Sequence, residues 1–357
     1  MKGRHPFFAK TGLLSALVLI ACHAEGGLTF NFTSTGNAQA DAGFAAAGAR
    51  WSNLFSDNIT VNINAGYSAL GPGILGSANS TDAFYYYSDV RNYLLGDKTS
   101  ANDNTATSYL QPSPALRLEI NRTSNNPNGA NSATPYLDIN GNENNKIINL
   151  TTANAKALGL MAGNNAAVDA SISFSSSFSW DFNPGDGITA GTFDFVGVAT
   201  HELGHALGFI SGVDVLDYNG SGYPDSAFTY VTPLDLYRYS SLSVANNALD
   251  WTADSRTKYF SLDGGTTSLA TFSTGVNYGD GRQASHWQDN LGIGVMDPTA
   301  GSGELLAITA NDIMAFDVIG YDLSSVPEPA TFGVVAGLAL LGIGTGSRMR
   351  RRHGVEA

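Results

Sequence analysis

Hydrophobic and polar positions follow two different periods in successive segments of the chain. Apolar residues that recur every three to four positions predict helices over residues 41–55, 81–96, 152–160 and from 308 or 309 to 319. Alternation of apolar and polar residues, or a short apolar run, predicts strands over residues 59–67, 115–120 and 170–175. This mixture of elements, which contains no internal repeat, predicts an α+β fold.

One further helix, which begins near Thr192, is more apolar than the others. Residues 193–200 and 206–209 are mostly apolar or small, which predicts a buried helix. Two segments lack a clear period. Residues 121–145 are rich in Asn, Gly, Pro and Ser and are typical of a loop, whereas 211–285 are irregular apart from 234–239.

Residues 1–24 have the features of an export signal. Three basic residues precede an apolar run over 12–21, which is typical of a bacterial signal peptide. Cleavage after Ala24 would remove Cys22, the single cysteine of the chain. The alternative is lipidation, because Leu19-Ile20-Ala21-Cys22 is a possible lipobox. Either route leaves an exported domain without disulfide bonds.

The C-terminal segment, 324–357, contains Val326-Pro327-Glu328-Pro329, an apolar run over 330–345 and four arginines. It resembles the PEP-CTERM sorting signal of Gram-negative bacteria. The run is near the lower length limit for a transmembrane segment, with the arginines expected on the cytoplasmic side. The resemblance implies an exosortase-type partner and delivery to the outer surface or extracellular matrix. The alternative is a simple membrane anchor.

The part of the chain between these signals is strongly acidic. Residues 25–345 contain 11 Lys and Arg against 30 Asp and Glu, a net charge of about −19. Such a surface repels nucleic acid and anionic lipid. We therefore expect no nucleic-acid partner, and membrane contact only through the C-terminal segment.

Histidine is rare, and its positions are informative. Of six histidines, only His201, His205 and His286 lie between the two terminal signals. His201-Glu202-Leu203-Gly204-His205 is an H-E-x-x-H sequence, whose i, i+4 spacing places both imidazoles on one helix face. Glu202 lies beside that face and can act as a base for water activated by the metal. Such a short sequence also occurs by chance, but unpaired His and Glu on an apolar helix would be costly, which favours a metal site.

Spacing alone does not identify the third ligand. The helix sequence resembles that of metzincin peptidases, whose pattern continues as H-x-x-G-x-x-H. Gly208 matches the glycine, which allows a sharp turn after the helix, but Ser211 occupies the third-ligand position of that pattern and is a poor zinc ligand. The candidates are then His286, far downstream, and Asp214 or Asp217, just after the turn.

The order of these residues resembles the leishmanolysin-like metzincins, in which a long insertion separates the glycine from the third histidine. His286-Trp287 and the later Met296 and Pro298 match that pattern, which covers residues 193–323. The resemblance implies one catalytic domain over 25–323, with an upper lobe over 25–208 that contains the mixed sheet and active-site helix. It also implies an irregular lower lobe over 209–323, with Met296 in a turn beneath the zinc and a C-terminal helix.

The implied activity is zinc-dependent cleavage of proteins or peptides. His201, His205 and His286 would hold Zn²⁺, which needs one open position for catalysis, and Glu202 would act as general base. The resemblance further implies that substrate binds extended against an edge strand such as 170–174.

Two other hypotheses come from the sequence. Asp217, Asn219 and Ser221, and likewise residues 138–143, space oxygen side chains as calcium loops do, although such sequences are also common in ordinary turns. The chain could alternatively be an inactive surface or matrix protein, or bind glycans through Tyr85, Tyr86 and Tyr87.

Overall fold

A computed structural model describes residues 27–324, which form interspersed helices and short strands, so the predicted α+β class is confirmed. The helices are α1 Ala38–Ser52, α2 Tyr87–Gly96, α3 Ala101–Ser108, α4 Thr152–Ala157, α5 Phe195–Leu207, α6 Val213–Asn219, α7 Ser241–Ala245 and α8 Ala310–Val318. The strands are β1 Thr29–Phe32, β2 Thr60–Ser68, β3 Gly76–Ser80, β4 Asp82–Tyr86, β5 Leu118–Ile120, β6 Tyr136–Asp138, β7 Ile147–Thr151, β8 Ala170–Ser175, β9 Trp180–Asp181, β10 Phe193–Asp194, β11 Arg238–Tyr239, β12 Leu249–Asp250, β13 Lys258–Phe260 and β14 Ala270–Phe272.

The largest sheet has four strands in the order β1-β2-β8-β3. The first three strands are parallel, and β3 is antiparallel to β8 at the edge of the sheet. Strand β8 is therefore an interior strand. The expectation that 170–174 forms an edge is wrong, and the edge on that side is β3.

Helices α1, α5 and α8 pack together beside this sheet. The indole of Trp51 in α1 donates to the Thr200 carbonyl of α5 at 2.9 Å, and its ring packs edge-on against Phe316 of α8. Phe44 lies between Phe174 of β8 and Phe195 at the start of α5, with ring centroids 5.1 and 5.5 Å apart. This aromatic core fixes α5 between the sheet and the C-terminal helix.

The predicted helix over 81–96 is correct only in its second half. Residues 82–86 form β4, which pairs antiparallel with β7, and α2 begins at Tyr87. Aromatic residues favour strands, and the cross-strand partners supplied by β7 decide the conformation. The segment predicted as loop, 121–145, also contains strand β6.

Residues after α5 contain more regular structure than the sequence predicts. Three short strands, β11, β13 and β14, form an antiparallel sheet, and α6 and α7 lie in the same stretch. Strand β12 pairs with β5, and Val231 forms a bridge with Ile148, so this part is bonded to the N-terminal half. Within residues 27–324, no helix is long and apolar enough to cross a membrane, and the apolar run at 330–345 lies outside that range.

A group of carboxylates lies where the end of the domain meets the loops before β2 and α3. Asp322 donates its backbone N–H to Asp57 at 3.1 Å and accepts from Thr99 at 2.7 Å. Burial raises the pKa of Asp57 to about 7 and that of Asp97 to about 8, and repulsion from Asp322 is the second-largest cause of both shifts. No basic side chain forms an ion pair with these three residues in the described part of the chain.

This arrangement predicts a pH-dependent stability. The folded pKa values of Asp57 and Asp97 exceed those of the unfolded chain, so the folded state favours the protonated carboxyl groups. Their contribution to stability is therefore fully present below about pH 4 and is lost as pH rises through 7 to 8. Asp97→Asn removes this charge and should therefore raise the melting temperature at pH 8. We expect a gain of about 2–4 °C, which corresponds to about 1 kcal/mol, because solvent screening of this half-buried group keeps the effect small. Calorimetry at pH 5 should show a smaller gain. Asp186→Asn, at an exposed position, is the control; an equal gain at both pH values would contradict the prediction.

Candidate metal centre

Helix α5 carries the H-E-x-x-H residues. Asp194 caps its start by accepting from the Gly197 N–H at 2.7 Å. Gly208 ends the helix with a φ of 119°, a left-handed conformation that favours glycine. One turn of helix separates His201 from His205, so both rings project from the same face.

The three histidines of the domain meet at one point. The Nε2 atom of His205 lies 3.1 Å from Nε2 of His201 and 3.1 Å from Nε2 of His286, and the third side of the triangle is 3.3 Å. They form the group of possible metal ligands found among residues 27–324. The structure thus brings His286 to the helical pair, although 81 residues separate it from His205.

The other ring nitrogen of each histidine faces a backbone carbonyl. Nδ1 of His201 lies 2.8 Å from the Val295 oxygen, Nδ1 of His205 2.7 Å from the Phe209 oxygen, and Nδ1 of His286 3.3 Å from the Gln283 oxygen. A carbonyl oxygen can only accept, so each Nδ1 carries the proton. In a neutral ring, Nε2 then presents a lone pair.

Burial keeps these rings neutral. It lowers the pKa of His201 to about 4 and that of His205 to about 3, and it places the pKa of His286 well below its ordinary value. Three neutral rings with protonated Nδ1 atoms therefore direct three lone pairs at one another. Such an arrangement is repulsive unless a cation lies between the nitrogens.

The triangle fits a tetrahedral transition metal. Zn²⁺ binds imidazole nitrogen at about 2.0–2.1 Å, so tetrahedral ligand nitrogens lie about 3.3 Å apart. The observed separations of 3.1–3.3 Å are close to that value. The backbone carbonyls at each Nδ1 are the partners that orient histidine ligands in metal sites.

Glu202 lies next to the triangle but is not part of it. Its side chain is 7% exposed, and burial raises its pKa to about 8, an effect partly offset by the backbone of Ala78. A Cβ atom at Gly76 would lie 3.2 Å from its Oε1 atom. The carboxyl group therefore faces β3. A divalent cation held by the histidines would lower the pKa of Glu202 because it favours the ionised form.

The alternative third ligands lie elsewhere. Ser211 donates to Asp235 at 2.6 Å. Asp214 accepts from the backbone N–H groups of Ala284 and Ser285, and Asp217 accepts from those of Asn277 and Tyr278. Asp214 thus binds the segment immediately before His286 and helps to position this histidine.

Met296 lies directly beneath helix α5. It is fully buried, and its sulfur occupies the space that a Cβ atom at position 204 would need, so Gly204 is required for this contact. The Met296 carbonyl accepts from the Trp287 backbone N–H at 3.0 Å. Through this bond the methionine is connected to the residue that follows His286.

Sequence reasoning missed Asp312, which organises this region. Its buried carboxylate accepts from the Trp287 indole at 2.8 Å, and from the backbone N–H groups of Val295 at 2.8 Å and Thr309 at 2.8 Å. Asp312 caps α8, and a Thr-x-x-Asp pattern at its start was the available signal. That pattern predicts a helix cap and gives no indication of the contacts with residues 287 and 295.

The histidines open onto a cleft of about 710 Å³. One wall is strand β3, and the other contains Ile210, Val215, Tyr218, Tyr230 and Val276. A second pocket of about 360 Å³ adjoins it near Val198, Pro298 and Leu306, and Glu202 lines both. The free edge of β3 therefore runs beside the triangle of histidine nitrogens, on a side of the sheet that no other strand covers.

The candidate calcium ligands Asp217, Asn219 and Ser221 do not form a loop. Residues 217 and 219 belong to α6, the Asp217 carboxylate accepts two backbone N–H groups, and Asn219 donates to the Val215 carbonyl at 3.0 Å. In a helix, residues two apart point about 200° apart. This corrects the sequence-based assignment: the alternate spacing lies on a helix, where it does not converge on an ion.

The three consecutive tyrosines also do not form one stacking surface. Tyr87 is fully buried and donates to the Gln111 carbonyl at 2.6 Å, whereas Tyr86 is 56% exposed. Tyr85 donates to the Leu160 carbonyl at 3.3 Å.

Comparison with protein-family models, curated proteins and solved structures gives no match to this chain.

Proposed function

We propose that this protein is a zinc-dependent endopeptidase. His201, His205 and His286 hold the zinc, and Glu202 is the general base. The observation that carries the proposal is the convergence of three Nε2 lone pairs 3.1–3.3 Å apart, each ring being fixed by a carbonyl at Nδ1. This donor set, with three imidazoles and space on the cleft side, is that of a catalytic zinc site rather than a closed structural one.

The substrate of the proposed reaction is an extended polypeptide. A peptide added to the free edge of β3 would pass the histidines with its backbone hydrogen-bonded to the strand. Glycine at position 76 keeps this approach free of a side chain at the point where Glu202 faces the strand. Pairing with a strand edge uses backbone groups in the middle of a chain and needs neither terminus, which favours internal cleavage.

Zinc, when bound, would lower the pKa of a water molecule to about 7 and polarise the scissile carbonyl. Glu202 accepts the proton from water and donates it to the leaving nitrogen. Because Glu202 lies beside β3, its carboxylate would be near the backbone of a peptide bound along that strand. The Val295, Phe209 and Gln283 carbonyls hold the imidazoles in the tautomer that keeps Nε2 free.

The proposal includes the metzincin-like architecture, with an upper lobe over 25–208 and a lower lobe over 209–323. Left-handed Gly208 after the helix, His286 followed by Trp287, and Met296 against Gly204 support it. Export and exosortase-type sorting to the outer surface belong to the same proposal, but their signals lie outside residues 27–324.

Zinc analysis of the full chain tests this assignment. We expect one zinc per chain, and a loss of affinity greater than about 100-fold in His286→Ala, because removing a ligand should exceed the effect of removing a residue that orients one. Asp217→Asn, which changes the alternative ligand, should keep the zinc. Retention of zinc by His286→Ala would refute the three-histidine site. A parent protein without zinc would favour an inactive surface or glycan-binding protein.

A further inference from the structure

A second group of buried oxygen ligands lies away from the histidines, where the loop after β6 meets residue 225. Asp138 is 2% exposed and Asp225 is 3% exposed. Neither forms an ion pair with a basic side chain within residues 27–324. Burying two carboxylates without a counter-charge is unfavourable, and burial raises the pKa of Asp138.

Asparagine side chains surround both carboxylates. The amide nitrogens of Asn140 and Asn142 donate to the two carboxylate oxygens of Asp225 at 3.2 and 3.1 Å. The amide nitrogen of Asn144 donates to one carboxylate oxygen of Asp138 at 2.8 Å. Residues 138, 140, 142 and 144 thus contribute every second side chain of one loop, and Asp225 completes the group from a distant part of the chain.

The amide oxygens provide an independent indication of a ligand. Asn144 is fully buried, and its Oδ1 atom has no hydrogen-bond partner. The Oδ1 atom of Asn142 is also buried without a partner. A buried acceptor without a donor costs about 1–3 kcal/mol, and two of them occur within this one group.

We propose that Asp138 and Asp225, together with the side-chain oxygens of Asn140, Asn142 and Asn144, bind a calcium ion. Calcium prefers oxygen ligands at about 2.3–2.6 Å, so neighbouring ligand oxygens lie about 3 Å apart. The amide nitrogens lie 2.8–3.2 Å from the carboxylate oxygens, which matches that spacing. A rotation of each amide group by about 180° would put its oxygen at this position as a calcium ligand. The ion would supply the missing positive charge and partners for both unpaired oxygens.

This site is independent of the proposed peptidase activity. It connects the loop after β6 to the segment that leads to Tyr230 and Thr232, which line the cleft. Calcium would therefore stabilise one wall of the cleft without contacting the reacting groups.

Terbium luminescence and calorimetry on the zinc-loaded full chain test the proposal. The hydroxyl of Tyr136 lies 3.3 Å from Asp225, so excitation of tyrosine should sensitise a bound Tb³⁺ ion, and Ca²⁺ should displace it. We expect one Ca²⁺ per chain and a higher melting temperature in Ca²⁺ than in chelator. Asp138→Asn and Asp225→Asn should each weaken Ca²⁺ at least about tenfold and leave the zinc content unchanged.

The control is Asp97→Asn, which removes a carboxylate from the other acidic group and should bind Ca²⁺ like the parent. Loss of binding in this variant with retention in Asp225→Asn would overturn the proposal in favour of that group. If the aspartate variants do not fold, Asn142→Ala removes one ligand oxygen more mildly. A parent chain that shows neither displaceable Tb³⁺ nor a calcium-dependent melting temperature would overturn the proposal without any variant.

Discussion

Exchange of Glu202 for glutamine is expected to reduce kcat/KM for peptide hydrolysis by about 10²–10⁴-fold, while the chain still binds one zinc. Glutamine keeps the size of the side chain and a polar contact to Ala78 but cannot accept a proton. Because Glu202 lies outside the nitrogen triangle, the zinc site should be unaffected. Fluorogenic peptide cleavage and zinc analysis on the same preparation measure both quantities.

The matched control for this prediction is Glu304→Gln. Glu304 is exposed and lines neither pocket, so its exchange removes the same charge without touching the site. Zinc-loaded Glu202→Gln with more than about a tenth of the parent activity would exclude the role of general base. Loss of zinc in this variant would instead make Glu202 a ligand, contrary to the geometry.

The helical pair could be predicted from sequence because its geometry is local. A spacing of four residues on a helix determines that His201 and His205 face the same way, whatever the rest of the fold does. His286 could not be placed in this manner. Spacing does not distinguish His286 from Asp214 and Asp217 as the third ligand, and only the resemblance to leishmanolysin-like metzincins favours His286. Its position depends on tertiary bonds, including that of Asp214 to the backbone at residues 284 and 285.

Strand β3 escaped prediction for a different reason. Its sequence, Gly-Ser-Ala-Asn-Ser, has no alternation of large apolar and polar residues, and its conformation comes from pairing with β8. The same holds for β4, where pairing with β7 overrides a helical period. The short elements after α5 are likewise fixed by buried polar side chains such as Asp235, which accepts from Ser211 and from the Trp251 indole. Sequence periodicity contains no record of such contacts.

Asp312→Asn is expected to weaken zinc binding by about 10–100-fold, although Asp312 forms no hydrogen bond with any of the three histidines. Both carboxylate oxygens accept N–H groups: one from the Trp287 indole and the other from Val295 and Thr309. An asparagine amide has one oxygen, so on one side its NH₂ group must face a donor. The Val295 carbonyl that orients His201, and the segment that follows His286, should both shift.

Competition with a zinc chelator measures this affinity, and excess zinc distinguishes positioning from general damage. If Asp312 acts by orienting ligands, saturating zinc should restore much of the lost peptide hydrolysis. The control is Asp317→Asn on the same helix, because Asp317 is also buried but bonds to Ser100 and Asn102, away from the histidines. It can change the melting temperature but should not change zinc affinity. Of these two residues, only Asp312 is bonded to the segments next to His201 and His286. An equal loss of zinc affinity in both variants would therefore show that α8 acts only through overall stability.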